Sequence, residues 1–277
     1  AAGCPDADYD ARELLRIAAG KDPRLLFDPL TRPQAECLAE LAAQRMQRVP
    51  LQYLAGEWDF LGLTFKVGPG VLCPRADTEV VAEADANTLT GIAAPRVLDL
   101  CAGTGCLGLG VKRFCPAAQV TCVEKSPDAW PYLTANTADS GVRTMQADVF
   151  TYYKLLSEEC ADLIISNPPY LTGPEMGALM PETAHEPAMA LDGGADGLDF
   201  YRGITELWQP ALKPGGHLLY EVGIGQAEKV AWLLVKAGYE NIRITRDTGG
   251  IDRVVEGQRP KEREIPDMLH ETMEEDV

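Results

Sequence analysis

The tetrapeptide Asn167-Pro168-Pro169-Tyr170 directly follows the apolar run 161–165. An asparagine before proline is pushed into extended geometry, and two successive prolines keep the chain stiff. The side-chain oxygen of Asn167 and the carbonyl of Pro168 can then both accept from one planar NH₂ group, while the ring of Tyr170 offers a face to a flat amide or base. Such a clamp aims a nitrogen lone pair at an electrophile, so orientation supplies most of the rate. We therefore predict that these four residues are catalytic; taken alone, the tetrapeptide is also compatible with a loop that contains a cis proline.

A glycine-rich loop follows the predicted strand Arg96–Leu100. Its stretch Gly103–Gly108 matches the G-x-G-x-x-G pattern of dinucleotide-binding turns, and Glu124 stands about 20 residues later, where an acid would hold ribose hydroxyls. NAD is therefore one candidate ligand, and tight turns without any ligand are another interpretation. Asp99, just before the loop, would repel a diphosphate but attract an ammonium group. S-adenosylmethionine has a ribose and an adenine, lacks phosphate, and carries an α-amine and a sulfonium, so it fits these residues better than NAD.

Further residues complete the two predicted ligand sites. Asp148, which follows a predicted strand, would accept from the adenine amine, with Val149 or Phe150 against the ring. The predicted methyl-donor contacts are Asp99, Cys101, Ala102, Gly103, Thr104, Gly105, Glu124, Lys125, Asp148, Val149 and Asn167. The predicted substrate contacts are Asn167, Pro168, Tyr170, Arg75 and Glu79. Arg75 and Glu79 have a second interpretation, as an ion pair at a hinge.

The elements that position these residues alternate between strand and helix from about Ala76 onward. The predicted strands are Arg96–Leu100, Gln119–Glu124, Arg143–Ala147, Asp162–Ser166, Gly216–Val222, Glu240–Arg246 and Ile251–Glu256. The predicted helices between them are Cys106–Phe114, Pro127–Ala138, Phe200–Ala211 and Gln226–Ala237. This alternation predicts an α/β fold with a doubly wound, mostly parallel, seven-stranded sheet of the Rossmann-like type. The last two strands have only a short link, so one of them should be antiparallel at the edge of the sheet. The glycine loop and the tetrapeptide would then meet at the carboxyl edge of the sheet.

The chain before this alternating region has a different pattern. Residues 1–50 are predicted to form a small helical domain, with helices at Tyr9–Ala19 and from Thr31 to about Arg48. Residues 51–75 contain aromatic and β-branched side chains in rough alternation between glycines, which predicts a linking β-hairpin. Residues 76–260 would form the catalytic domain. Residues 261–277 are predicted to be an acidic, disordered tail.

Composition and charge restrict the classes of function. The hydrophobic fraction of 46% is that of an ordinary globular protein, and the formal net charge of −17 disfavours direct nucleic-acid binding, because phosphate affinity comes largely from Lys and Arg. No run of some 18 uncharged apolar residues is present and the N-terminus is unlike a signal peptide, so we expect no membrane span and a cytoplasmic location. The eight cysteines lack C-x-x-C spacing, which favours buried thiols over metal ligands or disulfides. We expect a monomer that binds no metal.

These motifs together resemble those of the class I methyltransferases that modify planar nitrogens. Within that class, the chain is most similar to the HemK-type N5-glutamine methyltransferases of peptide chain release factors. The similarity runs from about Leu14 to Gly257, nearly the whole chain. It includes Pro50-Leu-Gln-Tyr53, Gly56, Phe60-Leu-Gly-Leu63, Phe65, Leu72-Cys-Pro-Arg-Ala-Asp-Thr-Glu79, Asp99–Gly105, the tetrapeptide, Leu191–Leu198, Glu221-Val-Gly223 and Asp252-Arg-Val-Val255.

The resemblance implies a substrate, a methyl donor and a partner. S-adenosylmethionine would be converted to S-adenosylhomocysteine, and the methyl group would go to the side-chain nitrogen of the glutamine in the Gly-Gly-Gln loop of a release factor, in support of translation termination. The helical N-terminal domain would help to grip that factor. A non-enzymatic scaffold that binds the methyl donor or a nucleotide is an alternative, and it predicts no dependence of activity on Asn167.

Two related enzyme classes are rivals for the substrate. DNA adenine methyltransferases share the tetrapeptide, but they lack P-R-x-x-T-E and usually carry an added basic recognition region. Ribosomal-protein glutamine methyltransferases are similar over both domains, but their arginine motif typically runs P-R-S-P without the following T-E. The stretch Pro74-Arg-Ala-Asp-Thr-Glu79 therefore favours the release-factor enzymes.

A few positions depart from the family pattern or stay outside the predicted mechanism. Cys101 stands where the family usually has glycine, and Cys106 stands just after the loop, where a small residue is common. Both side chains are small enough to leave donor binding intact. Val149 replaces a bulkier, often aromatic residue beside the adenine. His185 is not expected to be a catalytic base for an amide nucleophile. The acidic, glycine-rich loop Asp192–Gly197 lacks EF-hand spacing and is predicted to support the active site rather than to bind calcium.

Overall fold

Three helices open the chain in the computed structural model, which describes residues 3–261 and, for residues 85–87, the backbone alone. The helices are α1 (Ala7–Ala19), α2 (Arg32–Met46) and α3 (Leu51–Ala55). Helix α1 begins after Asp6, whose carboxylate accepts from a backbone N–H of the first turn, and it ends at Gly20 with a left-handed φ of 70°. The two predicted helices are confirmed. The predicted acidic tail lies outside the described residues from residue 262 onward.

A two-stranded antiparallel hairpin follows the helices. Its strands are β1 (Glu57–Phe60) and β2 (Leu63–Lys66). The turn residues Leu61 and Gly62 both have positive φ, 51° and 67°, as a tight hairpin turn with two central residues requires. The predicted hairpin is confirmed for residues 57–66, but residues 51–55 form α3 instead of extended chain.

A seven-stranded sheet forms the rest of the structure. Its strands are β3 (Arg96–Leu100), β4 (Gln119–Glu124), β5 (Arg143–Gln146), β6 (Ala161–Ser166), β7 (Leu212–Glu221), β8 (Glu240–Arg246) and β9 (Asp252–Gln258). They are ordered β5-β4-β3-β6-β7-β9-β8, and the pairs from β5 through to β7 are all parallel. The predicted Rossmann-like, doubly wound sheet is confirmed.

The antiparallel strand is β9, and its position differs from the prediction. We expected the antiparallel strand at the edge, but β9 lies between β7 and β8 and pairs antiparallel with both. The reason is hydrophobicity, since Val254 and Val255 of β9 are fully buried while nearly every residue of β8 is exposed. The strand with the more apolar side chains takes the inner position.

Helices cover both faces of the sheet. They are α4 (Glu79–Thr88), α5 (Cys106–Phe114), α6 (Trp130–Thr137), α7 (Val149–Tyr152), α8 (Gly173–Met176), α9 (Asp199–Leu207) and α10 (Ala227–Lys236). Helix α6 begins three residues later than predicted, and α9 ends at Leu207, before a 3₁₀ turn at Gln209–Ala211. The sequence analysis missed α4, α7 and α8. Short length explains the misses of α7 and α8, since one helical turn carries no recognisable period.

Alternating side chains of the central strands separate the core into two layers. On β6, Ile164 packs with the layer that includes Trp208 and Tyr220, whereas Leu163 and Ile165 pack with the layer on the opposite face. All three residues are fully buried. This double burial explains why the central strands read as continuous apolar runs, and it fixes the strand ends that carry the polar side chains described next.

Candidate active site

Polar residues follow three adjacent strands at one edge of the sheet. Leu100 of β3 pairs with Ser166 of β6, and Ser166 pairs with Tyr220 of β7. The residues just after these positions, including Asn167 and Glu221, therefore lie side by side at the carboxyl edge. This is the edge at which doubly wound sheets bind their ligands.

The first cavity at this edge collects the predicted donor residues. It is lined by Asp99, Cys101, Ala102, Gly103, Thr104, Glu124, Lys125, Asp148, Val149 and Asn167. Of the predicted donor contacts, only Gly105 does not line it. Gly105 lies beneath the loop with a left-handed φ of 80°, and a Cβ there would be 2.8 Å from Leu133 Cδ1. Its function is to form the turn and to allow close packing on α6.

Two amides of the glycine-rich stretch, those of Gly103 and Gly108, and the amide of Ser126 after β4 already donate to carboxylates. The N–H of Gly103 donates to Glu124 Oε2 at 2.8 Å, and the N–H of Ser126 donates to Glu124 Oε1 at 2.7 Å. The N–H of Gly108 donates to Asp99 Oδ2 at 2.9 Å. A dinucleotide would need such donors for its diphosphate. The loop therefore suits a ligand without phosphate, such as S-adenosylmethionine, better than NAD.

Asp99 lines this cavity and has one carboxylate oxygen that accepts no hydrogen bond from the described residues. Its side chain is completely buried, and Oδ2 accepts from Gly108 and lies 3.6 Å from Cys122 Sγ. Its other oxygen, Oδ1, has no hydrogen-bond partner among the described residues. Burial without a cationic partner raises the pKa of this carboxyl to about 7. An ammonium group in the cavity would supply the missing partner, so the residues present fit a ligand with an α-amine.

Asp148 and Lys125 form an ion pair in the wall of the first cavity. Lys125 Nζ is 2.9 Å from Asp148 Oδ2, and Asp148 Oδ1 accepts from the N–H of Phe150 at 2.9 Å, which caps α7. Val149 is buried, and its carbonyl accepts from the indole of Trp208 at 2.9 Å. Phe150 and Val149 both line the cavity, so an apolar wall stands next to the Asp148 carboxylate. That combination suits a purine ring with an amine at its rim.

Cys101 has a conformation that normally selects glycine. Its φ is +60°, in the left-handed region that a β-carbon disfavours by about 1–2 kcal/mol. The family pattern has glycine here, and the structure gives the physical reason. Cys101 lines the donor cavity nevertheless, so the side chain is accommodated without closing it.

A second cavity meets the first at Asn167. Leu72, Arg75, Asn167 and Ala190 line both cavities, so they form the boundary between them. The second cavity continues past Tyr170 and Glu221 toward side chains of the N-terminal helices and the hairpin, which are Tyr9, Asp10, Arg45, Leu51 and Trp58. Asn167 thus has the donor cavity on one side and an open groove on the other.

The tetrapeptide is held in place by its backbone surroundings. Pro168 and Pro169 are buried, and no peptide bond among the described residues is cis. The side chain of Gln226 donates to the carbonyl of Tyr170 at 2.9 Å. Burial raises the pKa of the Tyr170 phenol to about 12, so the ring is neutral at ordinary pH. The clamp predicted from the sequence therefore sits on a fixed support.

The acidic glycine loop lies against the tetrapeptide. The N–H of Leu171 donates to the carbonyl of Leu191 at 2.8 Å, and the N–H of Gly193 donates to the carbonyl of Leu171 at 2.8 Å. Gly193 lies so close that a Cβ would be 2.6 Å from Tyr170 Cα and 2.8 Å from the Pro169 carbonyl oxygen. These contacts place Leu191 and Gly193 against the backbone of the tetrapeptide and of Leu171, which follows it, and the supporting role of residues 192–197 stays a prediction.

We expect Gly193→Ala to lower the rate of methyl transfer by about tenfold or more, because the added methyl group must displace the backbone of residues 169–170. The donor dissociation constant should stay near the wild-type value. Gly173→Ala is the matched control, since a Cβ at residue 173 meets nothing within 4 Å. Steady-state kinetics and donor titrations of both variants would check this, and equal rates for the two variants would contradict it.

The predicted ion pair between Arg75 and Glu79 is wrong. The guanidinium of Arg75 instead contacts Glu186 Oε2 at 2.5 Å, and the other oxygen of Glu186 accepts from the N–H of Cys73 at 3.2 Å. Glu79 Oε1 accepts from the N–H of Leu61 at 2.9 Å and holds the hairpin turn. Glu79 therefore lines neither cavity, whereas Arg75 lines both. Nearness in sequence suggested the wrong partner.

The sequence analysis assigned no role to Glu186, which contacts Arg75, or to Glu221, which lines the second cavity. Glu186 is buried and anchors the segment after the tetrapeptide to Arg75. Glu221 is buried beside Asn167 at the end of β7. Glu221 could have been predicted from the sequence, because it ends an apolar strand. A parallel neighbour of β6 brings its last residue to the same edge of the sheet as the tetrapeptide. His185 contacts the carbonyl of Gln47 at 3.2 Å and lines neither cavity.

Buried ion pairs join the N-terminal helices to the segment after the tetrapeptide. Arg45 contacts Asp10 Oδ2 at 2.8 Å and Glu182 Oε1 at 3.0 Å. Arg48 contacts the other oxygen of Glu182 at 2.6 Å. The wall of the second cavity is therefore built by both parts of the chain, and breaking one partner would leave a buried charge unpaired.

Three properties of the described residues bear on metals and membranes. Among the described side chains, those of residues 3–84 and 88–261, no three His, Cys, Asp or Glu are grouped so that they could hold a metal ion. The eight cysteines are all free thiols. None of the helices in the described part of the chain has the length and apolar character needed to cross a membrane.

Comparison with known proteins agrees with this geometry. Residues 1–56 match the family model of the PrmC N-terminal domain, and residues 62–192 match that of the methyltransferase small domain. The release factor glutamine methyltransferase of Geobacter sulfurreducens is 40% identical over 261 residues, which cover 92% of this chain and 91% of that protein. The enzyme of the same name from Cereibacter sphaeroides is 39% identical over 269 residues, 94% of each chain.

A solved structure shares the fold. A methyltransferase from Pyrococcus furiosus has a TM-score of 0.53 and 17% identity, over 83% of this chain and 100% of that one. At this identity the likeness concerns the fold alone. The sequence identity to the bacterial enzymes over nearly the full length is what decides the family, and the earlier resemblance is confirmed: the chain belongs to the release factor glutamine methyltransferases.

Proposed function

We propose that this enzyme methylates the side-chain nitrogen of the glutamine in the Gly-Gly-Gln loop of a peptide chain release factor, with S-adenosylmethionine as the methyl donor. The observation that carries the proposal is the position of Asn167 on the boundary between the two cavities. A planar nitrogen bound there would face the donor cavity directly. The methylated factor would then act in translation termination, which places the reaction in the cytoplasm.

The first cavity would hold the donor through its carboxylates. Asp99 Oδ1 would accept from the α-ammonium group, Glu124 from the ribose hydroxyls, and Asp148 from the adenine amine, with Val149 and Phe150 against the ring. Both cations of this cavity, Arg75 and Lys125, are already paired with carboxylates, so nothing there calls for a phosphate. S-adenosylmethionine supplies an electrophilic methyl carbon, which leaves S-adenosylhomocysteine as the product.

The tetrapeptide would bind and orient the nucleophile. Asn167 Oδ1 and the Pro168 carbonyl would each accept one N–H of the substrate amide, while the ring of Tyr170 supports its flat face. Two acceptors hold both N–H groups and so fix the plane of the amide, with the nitrogen lone pair, which is perpendicular to that plane, directed toward the donor cavity. Orientation of this kind accounts for a large share of a bimolecular barrier. The N–C bond forms as the S–C bond breaks, and the cationic nitrogen then loses one proton to solvent water in the open second cavity. No strong base is required, because the nitrogen becomes acidic as it is methylated.

The second cavity would receive the peptide that carries the glutamine. Its walls combine apolar side chains such as Leu51 and Trp58 with the carboxylates of Asp6, Asp10 and Glu182. One chain contains both cavities, so the reaction is proposed for a monomer. The arginines that line the second cavity, Arg45 and Arg75, are each paired with a carboxylate. This pairing disfavours a DNA substrate, whose phosphates would need available cations.

Mass spectrometry after incubation of the enzyme with S-adenosylmethionine and a purified release factor tests the proposal. We expect one methyl group on the glutamine of the Gly-Gly-Gln loop. A release factor with that Gln changed to Ala is the matched control, and a ribosomal protein and an adenine-containing duplex DNA are the competing substrates. Absence of the methyl group, equal labelling of the control, or faster transfer to a competing substrate would contradict the proposal.

A further inference from the structure

Glu221 is a buried carboxylate beside Asn167 for which the mechanism above has no use. Its residue is 2% exposed, and it ends β7, the strand next to β6 in the sheet. Glu221 lines the second cavity together with Asn167, Tyr170 and Arg75. Its oxygen Oε2 is buried and has no hydrogen-bond partner among the described residues. Burial of a carboxylate oxygen without a hydrogen-bond partner costs free energy. Its position next to Asn167, which is proposed to be catalytic, suggests a function for it.

The groups around Glu221 do not neutralise it. The positive charge of Arg253 on β9 lowers the pKa of Glu221. However, Arg253 is also paired with Asp77 and Asp247, at 3.1 and 3.2 Å. Thr78 lies close, although its hydroxyl also lacks a hydrogen bond. The negative charge of Glu221 also raises the pKa values of three nearby groups, Tyr170, Tyr201 and Cys106. Burial dominates over the opposing effects of Thr78, Arg253 and Asn167 and raises the pKa of Glu221 to about 7.

An asparagine that serves as an acceptor needs a partner for its amino group. The two ends of a carboxamide have nearly the same shape, so a half-turn would exchange Oδ1 for Nδ2 and present a donor to the substrate N–H groups. An ionised carboxylate only accepts, and it therefore binds the Nδ2 end and repels the Oδ1 end. Glu221 is the carboxylate that lies beside Asn167 in the second cavity.

We propose that Glu221 is a positioning residue that accepts from Nδ2 of Asn167 and thereby keeps Oδ1 directed at the substrate nitrogen. The inference rests on the proposed function, because it assigns Asn167 Oδ1 to the glutamine amide. It involves no covalent step and no net proton transfer. When Glu221 is protonated it can both donate and accept, so it no longer discriminates between the two orientations of Asn167.

Two consequences separate this role from a purely structural one. The rate at saturating donor should rise with pH through about 7, as the pKa of Glu221 requires. Stability should change in the opposite direction. A carboxyl whose folded pKa exceeds its unfolded value contributes stability that is complete below about 4.5 and is lost as the pH rises through about 7. Removing the charge should therefore stabilise the protein at pH 8 while it impairs catalysis.

The experiment compares wild type, Glu221→Gln and Glu221→Leu in release factor methylation at saturating donor. We expect kcat to fall about tenfold for E221Q, whose amide still offers one acceptor, and on the order of 10²-fold for E221L, which offers none. Both variants should lose the rise in kcat near pH 7, keep the donor dissociation constant, and melt above wild type at pH 8.

Glu256→Gln is the matched control. Glu256 is another buried carboxylate, on β9, but it contacts His217 Nδ1 at 2.7 Å and lines neither active-site cavity. This variant should melt below wild type and keep its kcat and pH profile, the reverse of the Glu221 pattern. If the Glu221 variants retain wild-type kcat and pH dependence, or melt below wild type at pH 8, the positioning role is overturned. If wild type itself leaves the glutamine unmethylated, the proposed function fails instead.

Discussion

Replacement of Asn167 by Ala is expected to lower kcat for methyl transfer on the order of 10²–10³-fold. The variant removes one of the two acceptors proposed for the substrate amide and leaves only the Pro168 carbonyl. With one acceptor left, the plane of the substrate amide is no longer fixed. The nitrogen lone pair then no longer points steadily into the donor cavity. The fold should be unaffected, because Asn167 is partly exposed and lies just after Ser166, the last residue of β6 that pairs with β3.

Donor binding and a distant asparagine provide the controls for this prediction. The donor dissociation constant should change by less than about fivefold, the scale of one neutral hydrogen bond. Asn241→Gly is the matched variant, since Asn241 lies on the exposed edge strand β8 with a φ of 52° that glycine also adopts. Its kcat should equal that of wild type. A drop for Asn167→Ala of less than threefold would mean that Asn167 does not hold the substrate.

The grouping of the predicted donor residues around one cavity was predictable because these residues lie at strand ends. Asp99, Glu124, Asp148 and Asn167 each stand at or just after an apolar run, and parallel strands bring such positions to one edge of the sheet. The glycine loop needed only its own spacing to be recognised. For these positions, local sequence and one topological rule were sufficient, and nearly the whole predicted donor set lines one cavity.

Pairing over long sequence distances was not predictable in the same way. Arg75 contacts Glu186, which is 111 residues away, and Arg45 contacts Glu182, which is 137 residues away. The spacing of these residues does not indicate which partner each one contacts. Glu79, which is near Arg75 in the sequence, was therefore considered as its partner. The order of β8 and β9 likewise depended on which strand buries more apolar surface, a comparison that the short link between them did not reveal.

Two carboxylates of the site share one physical situation and have different proposed uses. Asp99 and Glu221 are both almost completely buried, each has one oxygen without a partner, and burial raises the pKa of each to about 7. Structural ion pairs elsewhere, such as Arg45 with Asp10, satisfy their buried charges within the chain. Unsatisfied buried carboxylates are therefore candidates for binding a ligand, as proposed for Asp99, or for holding a side chain that binds the ligand, as proposed for Glu221.

Replacement of Asp99 by Asn is expected to weaken donor binding by about 10- to 100-fold, the value of a hydrogen bond to a charged group. The isosteric amide keeps an acceptor for Gly108 but removes the negative charge proposed to bind the α-ammonium group. The affinity of wild type should rise about tenfold per pH unit between pH 5 and the pKa of about 7. The ammonium group remains charged throughout this range, because an α-amine has a pKa near 7.7–8.0.

Stability and proton release make the Asp99 prediction specific. The raised pKa of Asp99 means that its stabilising contribution is complete below about 3.8 and is lost as the pH rises through about 7, so Asp99→Asn should melt above wild type at pH 8 in the absence of donor. Calorimetry at pH 6 in two buffers of different ionisation enthalpy should detect proton release on donor binding by wild type and none by the variant. Asp162→Asn is the control, since Asp162 pairs with Lys213 at the amino end of β6, away from the cavity. Its donor affinity and its proton release should match those of wild type. Equal affinities for Asp99→Asn and Asp162→Asn would show that the ammonium group binds elsewhere, because only Asp99 brings a buried, unpaired carboxylate oxygen to the donor cavity among the residues that line it.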